Sequence, residues 1–109
     1  MWLFTKQGFY SVVAKSGEEW HVRARAKKDL ENLNRVAGTK HKIHRSENAD
    51  YRWRIVVRDG AEAKAMIKAL VDDIDYSNFK SACAAVPSWR GRLPALHRVW
   101  ADMAETQDS

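Results

Sequence analysis

Two short segments place cations at every second residue: His21-Val22-Arg23-Ala24-Arg25 and Arg52-Trp53-Arg54 within YRWRIVVR, Tyr51 to Arg58. A spacing of two puts alternate side chains on one face of a strand. A guanidinium carries its donors in a planar fork that matches phosphate or carboxylate, so the chemistry such a face supports is anion binding. The remaining reactive residue types do not assemble. His41 and His44 stand three apart, which on a strand sends them to opposite faces rather than to one metal. Asp72-Asp73-Ile74-Asp75 has ligand character, but reads as the end of one helix and the cap of the next. Cys83, between two alanines, reads as a small buried hydrophobe. Trp89-Arg90-Gly91-Arg92 is a basic loop with one aromatic, or simply a helix connection. There is no Gly-rich phosphate loop, no CxxC pair and no nucleophile spaced to meet a base. No catalytic, metal or cofactor residue is therefore assigned.

The elements that must position the arginines follow from pattern. Trp2–Thr5 and Phe9–Lys15 are rich in aromatic and β-branched residues, and Gly8 between them suggests a bulge in one long strand. Ser16-Gly17 signals a turn, and Glu19–Ala26 alternates as a second strand. Lys27–Ala37 has helical spacing at Leu30, Leu33 and Val36, with Gly38 as its stop. Lys40–Ser46 is a short strand and Tyr51–Arg58 the fourth. A second helix over Ala61–Asp73 carries the stripe Ala63, Met66, Ile67, Leu70, continued by Ile74. Asp75 caps a short helix containing Phe79, Ala82 and Cys83. A last helix over Pro94–Thr106 shows Leu96, Val99, Trp100 and Met103 at i, i+3, i+4 and i+7.

EWHVRARA (19–26) aligns with DYRWRIVV (50–57) at an offset of 31, Arg23 on Arg54, and a helix follows each. The expected fold class is therefore α+β: a ferredoxin-like ββαββα sandwich with a four-stranded antiparallel sheet, helices on one face and a C-terminal helical extension. Residues 1–75 form the core of one domain, 76–106 the extension, and 107–109 a frayed tail.

Register decides which residues share the open face. A two-residue loop at Ser16-Gly17 pairs Tyr10 with Arg23 and Val12 with His21 there; a three-residue loop reverses that parity. In the second hairpin, placing Ile43 beside Trp53 in the core sets Lys42 opposite Arg54 and His44 opposite Arg52. The expected face is Tyr10, His21, Arg23, Arg25, Lys42, His44, Arg52 and Arg54, with Val56 among them and Arg58 at the rim. Like charges opposite one another cost up to about 1 kcal/mol per pair. Something should relieve them: Asp102 and Glu105 of the last helix, a second subunit, or an anionic ligand.

Composition narrows the setting. Residues 1–58 carry 13 Lys/Arg against 6 Asp/Glu, and residues 59–109 carry 6 against 8, so the net +5 is concentrated in the strand-rich half. One cysteine excludes an internal disulfide and fits a reducing cytoplasm. The N-terminal segment lacks the pattern of a signal peptide, and no stretch suits a membrane span.

MWLFTKQGFYSVV (1–13), HVRARAKKDLENL (21–33), ADYRWR (49–54) and ALHRVWADM (95–103) resemble a group of small bacterial proteins sharing this start, strand and terminal helix. The resemblance covers most of the chain. It implies a stand-alone bacterial protein and assigns neither activity nor site residues. The expected function is a non-enzymatic module whose basic face engages nucleic acid, RNA or single strands; the alternative is a protein-interaction or homodimerising domain using the same face.

Overall fold

Alternation of apolar and polar residues makes Trp20–Ala24 and Trp53–Val57 the neighbouring inner strands of an antiparallel sheet in the computed structural model, which describes residues 1–16 and 18–108. The strands are β1 (Trp2–Thr5), β2 (Gly8–Ala14), β3 (Trp20–Ala24), β4 (His44–Arg45) and β5 (Trp53–Val57), in the order β1-β2-β3-β5-β4. The α-helices are α1 (Lys27–Ala37), α2 (Gly60–Asp72), α3 (Phe79–Ala84) and α4 (Leu93–Ala104), with a 3-10 helix over Pro87–Arg92 between the last two.

The α+β class holds, but the sheet has five strands rather than four, with three of them ahead of α1, and a ferredoxin-like arrangement does not follow from it. The extra strand arises at Lys6-Gln7, where the expected bulge is instead a two-residue hairpin loop joining Thr5 to its partner Gly8. Thr5 Oγ1 accepts from the amides of Gln7 (3.1 Å) and Gly8 (3.2 Å), which satisfies the turn's donors. A Cβ at Gly8 would lie 2.3 Å from Asp29 Cγ, so only glycine lets β2 pass this close to α1.

The β2–β3 register also differs. Ser11 pairs with Arg23, Val12 with Val22 and Val13 with His21, and the Lys15 amide donates to the Glu19 carbonyl (2.7 Å), leaving three residues between. Gly17 of the expected turn lies outside the described residues. This odd spacing turns β2 over. Tyr10, expected on the open face, is buried on the helix side, where its hydroxyl donates to the Asp29 carbonyl (2.7 Å). Phe9 and Val13 move the opposite way. The strand carries large apolar residues in both parities, so its pattern does not select a face.

Tyr10, Val12, Val22, Ala24, Ile55 and Val57 then pack against Leu30 and Leu33 of α1 and Ala63, Met66 and Leu70 of α2. Helix α1 ends on Gly38 in the left-handed conformation (φ 69°), as its sequence predicts. Helix α2 begins with Asp59 accepting from the Ala61 amide (2.9 Å).

Beyond α2 the chain passes the β1–β2 turn, where Lys6 donates to Asp75 (2.8 Å) and Gln7 Nε2 to Asp73 (2.7 Å). The N-cap of α3 is Asn78, accepting from Ser81, rather than Asp75, which the lysine holds. The extension then packs Cys83, Trp89 and Leu96 against Phe4 and Phe9 on the sheet's other face, over β1 and β2.

Candidate anion-binding interface

The cross-strand pairs align one residue from each strand in a single row: Trp2, Ser11, Arg23, Arg54 and His44. With strands about 4.8 Å apart, Trp2 and Arg54 stand about 14 Å from each other along it. Arg23 and Arg54, the matched arginines of the internal echo, are direct partners across β3 and β5. Arg23 Nη2 donates to Ser11 Oγ (2.7 Å), and Arg54 Nη1 donates to His21 Nδ1 (3.1 Å). Among the described residues neither pairs with a carboxylate, and the Nε of each is buried without a partner. Two adjacent cations with unspent donors repel one another and cost desolvation besides.

His21 is half-buried beside this pair. With Nδ1 accepting from Arg54, its ring proton sits on Nε2, which meets Glu19 Oε2 at 3.0 Å. Glu19 also receives Arg58 (2.6 Å), which gives that rim arginine a role its sequence does not announce. These partners, the His21 hydrogen bond foremost, hold the Glu19 carboxyl below its ordinary range.

The guanidiniums of Arg23 and Arg25 lie 4.7 and 4.5 Å from the centre of the Tyr51 ring, which is buried on the open side near Phe9. Arg25 Nη1 also donates to the Asp50 carbonyl (3.1 Å). His44 is exposed opposite Arg54, a shift of two residues from the expected pairing that keeps the expected face. The hairpin continues with the Ser46 amide donating to the carbonyl of Arg52, itself exposed just before β5. Lys42 is exposed in the irregular stretch ahead of β4, outside the strand ladder. His41 turns to α2 and meets Glu62 at 2.6 Å, so the two histidines diverge.

The structure thus brings His21, Arg23, Arg25, His44 and Arg54 to one side of the sheet, leaves Arg52 exposed just before β5, and removes Tyr10 from that side. Trp2, 65% exposed, stands at the end of the row in its place. Trp2 escapes a sequence reading because the face of β1 depends on the β1–β2 turn. The last helix does not neutralise the arginines: among the described residues Asp102 and Glu105 form no ion pair.

The pair that sequence reasoning missed is Asp29–Arg92. Asp29 is fully buried and accepts from both Nη atoms of Arg92 (2.8 Å each) and from the Phe9 amide (3.2 Å). That bidentate contact raises the Arg92 pKa and ties the extension to α1. Trp89, whose indole donates to the Thr5 carbonyl (2.9 Å), is buried beside it, so Trp89–Arg92 is the helix connection, anchored to the sheet, rather than a free basic loop. Cys83 is buried, and burial pushes its thiol up to about 11. No helix among the described residues is long and apolar enough to cross a membrane. Comparison with known proteins finds no matching family model, curated protein or solved structure.

Proposed function

We propose that the protein is a non-enzymatic binding module whose basic sheet face holds single-stranded nucleic acid by its phosphates, in the cytoplasm. The observation that carries this reading is the Arg23–Arg54 pair, adjacent and, among the described residues, without a carboxylate. A phosphate bridging the two would relieve the repulsion by meeting their Nη groups, while the enclosed Nε atoms stay beyond its reach. Arg52 and His44 extend the cationic ground, and Trp2 offers an exposed aromatic plane. Stacking of one base on such a plane is worth about 1–3 kcal/mol. A basic sheet face with an aromatic at one end suits splayed single strands better than a duplex groove.

A homodimer through this face is disfavoured by its charge. A two-fold axis there would set arginines against arginines, and the nearby Glu19 and Asp50 already pair with Arg58 and Arg25. An acidic protein partner is the competing occupant. The double variant Arg23→Gln/Arg54→Gln separates folding from binding, since it removes charge while keeping polar stems. It should keep the wild-type circular dichroism and elute from a heparin column at clearly lower salt. Unchanged elution would exclude the face. Retention on heparin combined with failure to bind any oligonucleotide would favour the acidic protein.

A further inference from the structure

Between the sheet and α4 lies a cleft of about 330 Å³. Phe4 and Phe9 line it from the sheet, Leu96 and Val99 from α4, and Trp89 from the 3-10 helix. This volume falls at the small end of ligand pockets, roughly 300–1,000 Å³. Two guanidiniums reach the cleft, and they are not equivalent. Arg92 is spent: both Nη atoms bond Asp29, and its Nε donates to the Ser88 carbonyl (3.1 Å). Arg25 is available. Its side chain is 54% exposed and fixed against Tyr51, and only Nη1 is engaged, at 3.1 Å to a carbonyl and 3.5 Å to the exposed Asp50 carboxylate.

From this we infer that the cleft is a binding site for a small hydrophobic carboxylate, its apolar body held between Phe9 and Leu96 and its anionic end on Arg25. The charge complementarity is specific: one preorganised, incompletely paired guanidinium beside walls of apolar side chains. A nucleobase fits less well, because those walls offer almost nothing to the polar edge it would have to bury. The cleft adjoins the basic face, sharing Trp2 and Arg25 with it, but its other apolar walls lie outside the Arg23–Arg54 row, so the two readings can fail separately.

Octanoate and 1-octanol, one chain with and without the charge, are the probes, followed by ¹H–¹⁵N correlation spectra of the intact protein. Octanoate should shift the Trp89 indole N–H and the Phe9 and Leu96 amides saturably, and bind at least about fivefold more tightly than the alcohol. Arg25→Gln should erase that preference, and Val99→Trp, which fills the cleft from α4, should abolish both while leaving heparin retention at the wild-type value. Equal binding of acid and alcohol by the wild type, or full binding by Val99→Trp, would overturn the assignment. So would a dimer that Val99→Trp dissociates, which would make a second copy the occupant.

Discussion

At the scale of single residues, the most consequential contact joins Asp29 to Arg92 across 63 positions of sequence. Nothing in either residue's surroundings announces it: Asp29 reads as an ordinary acid in the first turn of α1, and Arg92 as part of a basic loop. Only the tertiary path, with β2 passing against Asp29 at Gly8, makes the carboxylate inaccessible to water. Breaking a buried pair strands the surviving charge, at a cost of about 3–5 kcal/mol when both groups are enclosed. Asp29 is fully buried and Arg92 is 29% exposed, so the cost is asymmetric. Arg92→Met should lower the unfolding free energy by about 3 kcal/mol in urea titrations, and Asp29→Asn by less, because the residue left behind still reaches solvent. Equal losses would contradict this placement. Glu19 offers a pH test. Its carboxyl is lowered from the ordinary value of 4.5, first by the His21 hydrogen bond and then by Arg58. A lowered carboxyl stabilises fully above its unfolded value and loses that contribution as pH falls through its folded value. Stability of the wild type should therefore drop more steeply than that of Glu19→Gln on acidification below about 4.5. Parallel acid limbs in thermal melts of the two proteins would remove Glu19 from the account.

At the scale of elements, legibility followed periodicity. Helix α1 was readable from end to end because Leu30 and Leu33 recur at helical spacing and Gly38 supplies the left-handed stop. The inward faces of β3 and β5 were readable for the same reason: one parity is apolar and the other cationic. Strand β2 was not, since Phe9, Tyr10, Val12 and Val13 put apolar bulk in both parities and the loop to β3 decides between them. Its two faces now have two cores to fill, one under α1 and α2 and one under the C-terminal extension. That assignment is testable by a matched pair. Val12 is buried in the first core and Val13 is only half-buried, so Val12→Ala should cost about 2 kcal/mol and Val13→Ala under half of that. The reverse order in chemical denaturation would restore the even loop. Helix α4 departs from expectation in a different way. Only Leu96 of its apolar stripe is buried, and Trp100 and Met103 remain 57% and 61% exposed.

At the scale of the whole molecule, the uneven charge of the chain becomes a division between faces. The strand-rich half supplies the cations, and the helices α1 and α2 cover the side that the arginines avoid. The extension covers β1 and β2 on the other side but, among the described residues, brings no carboxylate to Arg23 or Arg54. The sequence showed that a face repels itself; it did not show that the molecule's own acids stay away, since that depends on where α4 docks. The salt dependence of binding to a fluorescent single-stranded oligonucleotide, read by anisotropy, addresses this most directly. Each phosphate neutralised contributes about −0.7 to the slope of log K against log salt on single strands. Contacts from Arg23, Arg52, Arg54 and one further cation give a wild-type slope of about −3, and Arg23→Gln/Arg54→Gln should reduce it in magnitude by about 1.4. A slope that the double variant leaves unchanged, or wild-type affinity that does not respond to salt, would contradict the account.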